Sequence, residues 1–140
     1  MERIDTDVLV IGGGSGGLSV AAGAVQMGAR VVLLEGHKMG GDCLNYGCVP
    51  SKALLAAASV AHGQGGNAAM GVGPGKSTIS YGKAKDYVAS VIGQIAPHDS
   101  VARFEGLGVT VIEAFGRFIS PTEVQAGDRV VTARRTVIAT

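Results

Sequence analysis

The chain has 140 residues, 46% of them hydrophobic and 16% charged, with a formal net charge of +1. That length suits one domain with a real core. The apolar content is too high for disorder, and near-neutrality with no tryptophan, three tyrosines and three phenylalanines argues against nucleic acid as a partner.

Glycine is in excess, at 23 residues without a collagen period. The opening Met1-Glu2-Arg3-Ile4-Asp5-Thr6-Asp7 is mixed in charge and carries no secretory signal. Two cysteines five positions apart, Cys43 and Cys48, therefore point to redox or metal chemistry in a cytoplasmic setting and away from a secreted disulfide framework. No charge occurs between Asp7 and Arg30, long enough for a membrane span, but seven glycines from Gly12 to Gly28 would make a poor lipid-facing helix. No membrane partner is expected.

Asp7–Ile11 is a short run rich in β-branched residues, the pattern of a strand buried on both faces of a parallel sheet. Leu18, Ala21, Ala22 and Val25 recur at helical spacing over Ser15–Met27, with Gly28 as the stop. Arg30–Glu35 predicts a second buried strand. The unit is half of a doubly wound α/β sheet of the Rossmann type, and Gly12, Gly14 and Gly17 satisfy G-x-G-x-x-G at its turn. Gly12 makes the turn, Gly14 lets backbone approach a pyrophosphate, and Gly17 allows close packing of helix on strand. The pyrophosphate would sit at the positive end of the helix that begins near Ser15 and Gly16. Glu35, 18 positions after Gly17, can accept the ribose hydroxyls of a dinucleotide, and an acid here without a neighbouring arginine disfavours a 2′-phosphate.

In a regular helix residues five apart are about 7.5 Å apart along the axis, beyond disulfide reach, so a Cys43–Cys48 bond requires a distorted turn. Asn45 and Gly47 are residue types that tolerate one. Pro50 marks a helix start, continued by a stripe of Leu54, Ala57, Ala58 and Ala61, which places Cys48 where free N–H groups stabilise a thiolate, with Lys52 one turn on. Three readings stand: a structural metal site, short of two ligands; two inert buried thiols; or a redox disulfide.

Gly40-Gly41-Asp42-Cys43-Leu44-Asn45-Tyr46-Gly47-Cys48-Val49-Pro50-Ser51-Lys52 resembles the active-site signature of the class I pyridine nucleotide-disulfide oxidoreductases, which include dihydrolipoamide dehydrogenase, glutathione reductase and mercuric reductase. The resemblance extends from Asp7 to Thr136-Val137-Ile138-Ala139-Thr140, similar to the strand before the family's A-T-G segment. It implies FAD at the first glycine turn, with Gly12, Gly14, Ser15, Gly16, Gly17, Glu35, Gly41, Asp42, Gly116 and Thr140 among the binding residues. It also implies a Cys43–Cys48 redox disulfide, with Cys48 against the flavin, Cys43 as the interchange thiol that attacks substrate, and Lys52 beside the flavin ring. Asp42 departs from the family's usual threonine.

Six glycines and Pro74 between Gly63 and Gly75 read as a loop. Val88, Val91, Ile92 and Ile95 predict a second helix ended or kinked at Pro97, and Val109–Ile112 a third strand. From Phe115 short alternating segments, broken at Ser120-Pro121 and Ala126-Gly127-Asp128, predict a small antiparallel meander before a last strand. His37, His62 and His98 fit no catalytic pattern and read as surface residues.

The resemblance implies electron transfer between NAD(P)H, FAD and the cysteine pair, and on to a small disulfide, dithiol or metal-ion substrate. It further implies that residues 1–140 are the N-terminal segment of an FAD-binding domain, inactive alone, whose longer parent is a homodimer with nicotinamide and dimerisation domains. The alternative is a stand-alone FAD- or NAD-binding redox sensor.

Overall fold

The computed structural model describes residues 1–76 and 78–140. Strands β1 (Glu2–Ile11), β2 (Val31–Leu34), β3 (Thr110–Ile112), β4 (Gly116–Phe118), β5 (Glu123–Ala126) and β6 (Arg129–Ile138) form one sheet in the order β3-β2-β1-β6-β5-β4. Strand β1 runs parallel to β2 and β6, and β2 parallel to β3, while β4, β5 and β6 pair antiparallel. The Rossmann-like parallel sheet with its antiparallel arm is therefore present.

The all-apolar β2, Val31-Val32-Leu33-Leu34, is buried along its whole length, because its neighbours β1 and β3 flank it and both its faces are covered. On one face Val10, Val31, Leu33 and Val111 pack with Leu18 and Ala21 of helix α1 (Ser15–Gln26). Phe104, from the short helix α5 (Val101–Gly106), joins the same cluster. On the other face Leu9, Val32, Leu34 and Ile112 pack with Val124, Ala126, Val131 and Ala133 of the antiparallel arm. Burying a side chain of this size contributes about 1.5–3 kcal/mol.

Several boundaries differ from the sequence expectation. Strand β1 starts at Glu2, because its first half pairs with Arg129–Ala133 of β6. Strand β2 stops at Leu34, and Glu35 lies just beyond it, its N–H donating to the Ile112 carbonyl. Residues 129–138 are one strand, whereas the sequence reads as a meander followed by a separate last strand. Arg134 and Arg135 are exposed within a continuous β6, and Arg134 reaches Asp7. Helix α5 has no separate signal in the sequence pattern; Ser100 caps it by accepting from the Arg103 N–H at 3.2 Å.

The segment after β2 forms a short helix α2 (Gly41–Asn45) and a long helix α3 (Cys48–Gly63), and α4 (Tyr81–Ile95) returns against α3. Pro50 is the third residue of α3, so the helix begins two residues earlier than Pro50 alone suggests. The stripe Leu54, Ala57, Ala58, Ala61 is not buried: Ala53 alone of α3 is, and Leu54 is 41% exposed. Val88, Val91, Ile92 and Ile95 of α4 are half-buried. The glycine-rich stretch after α3 contains a 3-10 turn, Ala68–Met70, closed by an Asn67–Val72 bridge. Among the described residues, no helix is long and apolar enough to cross a membrane.

Asp7 ties three strands together. Its carboxylate accepts from the Arg30 N–H at 3.0 Å and the Arg30 guanidinium at 3.2 Å, ahead of β2, and stands 3.7 Å from Arg134 on β6. These partners, the Arg30 side chain first, hold its pKa down to about 2 from 3.8. A carboxylate whose folded pKa is depressed contributes stability that is present above its unfolded value and is lost as pH falls through the folded one. The melting temperature should therefore decline between about pH 4 and pH 2 more steeply in the unsubstituted chain than in Asp7→Asn. Equal slopes for the two chains would show that this pairing contributes nothing to the acid response.

Candidate functional site: a glycine turn and a thiol pair in one cavity

Backbone contacts at the ends of β1 and β6 build the site. Gly12 has φ +109, and a Cβ on it would stand 2.5 Å from the Ala139 carbonyl oxygen. A Cβ on Gly17 would overlap the Gly12 carbonyl oxygen. Gly12 and Gly17 thus have the turn and close-packing roles their positions predict. Gly14 and Gly16 differ: the nearest atom to a Cβ on Gly14 is the Gly41 Cα at 3.8 Å, and nothing lies within 4 Å at Gly16. Their open side faces a cavity of about 430 Å³.

The segment after β2 closes that cavity. Gly40 and Gly41 are both left-handed, at φ +86 and +57, and a Cβ on Gly41 would come within 2.7 Å of the Gly14 Cα. The Gly40 N–H donates to the Gly13 carbonyl at 2.8 Å. Only glycine lets these two turns lie backbone to backbone.

Glu35 is clamped between them. Its Oε2 accepts from the Gly13 N–H at 2.7 Å and its Oε1 from the His37 N–H at 2.6 Å. Each oxygen keeps acceptor capacity, so the carboxylate is both oriented and free to take two hydroxyls.

The cavity brings together most residues that the sequence singles out. Gly12, Gly14, Ser15 and Gly16 line it from the turn, and Glu35 from the end of β2. Gly41, Asp42 and Cys43 line it from α2, and Gly116 and Thr140 from the far strands. Gly17 lies behind the turn as packing, and Cys48 and Lys52, both exposed on α3, are not part of this wall. His37, Lys38, Tyr46 and Phe115 also line it, and sequence reasoning does not select them. For the first two, the available signal is their place just after the acid that ends β2. Phe115 has none: it reads as the start of the meander, yet it is 78% exposed and lies against Gly36.

The cysteines stand as two free thiols, Cys43 half-buried on α2 and Cys48 exposed as the first residue of α3. Asn45 supports the turn between them through its side chain. Among the described residues none other than glycine has positive φ, and the Asn45 amide donates to the Met39 and Gly41 carbonyls at 3.1 and 2.9 Å. The N-cap of α3, Gly47, contributes no side-chain bond, which leaves N–H groups of the first turn free beside Cys48. The hydrogen bond to Cys48, followed by desolvation and the Cys48 charge, raises the pKa of Cys43 above the ordinary thiol value of 9.0. The raised pKa favours the protonated form of Cys43.

A parallel sheet whose glycine turn and acid face one cavity has the architecture of a dinucleotide-binding α/β protein, and two thiols stand beside that cavity. Comparison with known proteins agrees. Residues 6–140 match the family model "Pyridine nucleotide-disulphide oxidoreductase". The chain is 33% identical over 142 residues to dihydrolipoyl dehydrogenase 2, chloroplastic, of Arabidopsis thaliana, covering 99% of this chain and 25% of that protein. It is 33% identical over 141 residues to the dihydrolipoyl dehydrogenase of Bacillus subtilis, covering 98% and 30%. Against the mercuric reductase of Bacillus cereus it is 29% identical over 136 residues, covering 97% and 22%. The chain belongs to the pyridine nucleotide-disulphide oxidoreductase family, whose members use FAD and NAD(P)H. It spans 22–30% of the length of these relatives.

Two outcomes follow from this geometry. Gly17→Ala should destabilise the chain by about 2–4 kcal/mol in urea unfolding, because backbone must move, whereas Gly16→Ala should stay within about 0.5 kcal/mol. Iodoacetamide should label Cys48 before Cys43 between about pH 7 and 9, read by peptide mass spectrometry, and Cys48→Ala should shrink the lag at Cys43. A Cys43 rate unchanged in that variant would show that Cys48 does not raise the Cys43 pKa.

Proposed function

We propose that this chain is the N-terminal segment of an FAD-binding domain, and that its cysteine pair passes electrons between FAD and a small disulfide, dithiol or metal-ion substrate. The observation that carries this reading is that Cys43, Glu35 and the open glycines Gly14 and Gly16 line one cavity, with Cys48 beside Cys43. The residues fit the cofactor. A diphosphate meets open backbone at the start of α1, whose first turn has no acid, and the Glu35 carboxylate is already oriented for a ribose. When bound, FAD supplies electron exchange with a nicotinamide.

The chain's own residues handle the sulfur chemistry. With the pair reduced, the Cys43 sulfur attacks one sulfur of a substrate disulfide, forming a new S–S bond and breaking the old one; the departing sulfur takes a proton. The Cys48 sulfur then attacks Cys43, closing Cys43–Cys48 and releasing the second substrate thiol. Two chain thiols are oxidised to one disulfide, one substrate disulfide is reduced to two thiols, and the two protons go with them. The reverse sequence oxidises a dithiol. Dihydrolipoyl dehydrogenase and mercuric reductase among the relatives support a dithiol, a disulfide or mercuric ion as the substrate class. NAD(P)H exchange and homodimer assembly are proposed for the full-length protein, with the nicotinamide and dimerisation domains outside residues 1–140.

Reconstitution of the 140-residue chain with FAD tests the reading. A yellow, saturable complex is expected, with a band to the red of the flavin absorbance once two electrons have reduced the Cys43–Cys48 disulfide; Cys43→Ser, which has no disulfide to reduce, should show that band with the flavin oxidised, and Cys48→Ser should lack it in either state. Failure to retain FAD would overturn the proposal. A band that depends on Cys43 instead would reverse the two sulfur roles.

A further inference from the structure

The cavity wall holds charges that the fold does not use. Asp42 and Lys38 both line it, and neither takes part in an ion pair among the described residues. Lys38 is the one lysine or arginine among the described residues that line the cavity. Glu35 adds a second carboxylate. A dinucleotide diphosphate brings about two more negative charges into the same volume, so Asp42 opposes it and the wall offers one full cation in return.

That cation rests against an aromatic ring. The Lys38 Nζ stands 5.3 Å from the centroid of the Tyr46 ring, within cation–π range. Tyr46 is itself stacked on His37, with centroids 6.3 Å apart and planes 16° apart, and its hydroxyl lies 3.4 Å from the His37 Nε2. An ammonium resting on a ring face keeps N–H donors for a second partner. Restricting a lysine before ligand arrives also lowers the rotamer entropy lost on binding.

We propose that Lys38, positioned by the Tyr46 ring, is the cation that recognises the diphosphate of the bound dinucleotide and offsets the charge of Asp42. The assignment rests on the nucleotide reading above. Lys38 recognises the ligand directly, Tyr46 is a positioning residue that acts through it, and Asp42 sets how much the cation is needed.

Calorimetric titration of the 140-residue chain with FAD, ADP and adenosine at low and high salt tests this. Lys38→Met should weaken FAD and ADP binding about tenfold at low salt, flatten the salt dependence and leave adenosine unchanged, since adenosine lacks the diphosphate. Asp42→Asn should tighten ADP binding about threefold. Tyr46→Phe keeps the ring and should bind as the unsubstituted chain does, whereas Tyr46→Leu should lose part of the Lys38 contribution. Unchanged ADP affinity in Lys38→Met would overturn the inference. So would equal weakening of ADP and adenosine, which would make Lys38 a prop for the wall; circular dichroism melts confirm that each variant is folded. An unsubstituted chain that binds neither FAD nor ADP would overturn the nucleotide reading and this inference together. Tight wild-type FAD binding with an inert Lys38→Met change would overturn only the inference.

Discussion

The site depends on three places where backbone touches backbone: Gly12 against Ala139, Gly17 against Gly12, and Gly41 against Gly14. Each is closer than a Cβ would permit. The first two set the height of helix α1 over the ends of β1 and β6, which aims its free N–H groups into the cavity. The third binds the segment carrying the thiols to the turn that faces the nucleotide. A methyl group at Gly12, Gly17 or Gly41 would push apart elements that these contacts hold together, whereas Gly14 and Gly16 are open toward the cavity. The glycines of one short motif thus divide into those that close the protein on itself and those that leave it open.

The two thiols differ because they belong to different helices. Cys43 lies on short α2 in the cavity wall, while Cys48 begins α3 outside that wall. Their contact raises the Cys43 pKa and so favours the protonated form of that sulfur. The α3–α4 hairpin beyond it buries little of its own surface, so the geometry of the pair is set at its α2 end, by Asn45, the left-handed Gly40–Gly41 step and the buried Leu44.

Most of the parallel core was legible in the chain. The Val31–Leu34 run, the glycine turn and the stripe on α1 each have one physical explanation, since apolar β-branched runs, left-handed turns and helical spacing are local properties. The strand ends were less so. Residues 129–138 form a single strand that pairs with both the meander and the parallel sheet, and Arg134 serves Asp7 from within it. The apolar stripe of α3 suggests burial, but nothing along the stripe itself records whether another element covers it. His37 is surface-like by composition, yet it lines the cavity beside Glu35 and stacks on Tyr46, nine positions away.

The amino-acid sequence by itself determined the class of chemistry: a turn of the right glycines, an acid at the right distance and two cysteines before a helix-starting proline are local facts, because bond geometry and helix ends depend on near neighbours. Tertiary structure alone decided the shared cavity, the clamp on Glu35 by Gly13 and His37, and the placement of Lys38 over Tyr46. Those depend on the angle at which two turns meet, which packing of the whole sheet sets and no short window of residues encodes. Asp42 illustrates both halves. Its identity is plain in the sequence, and its consequence appears only when the wall it shares with Lys38 is assembled.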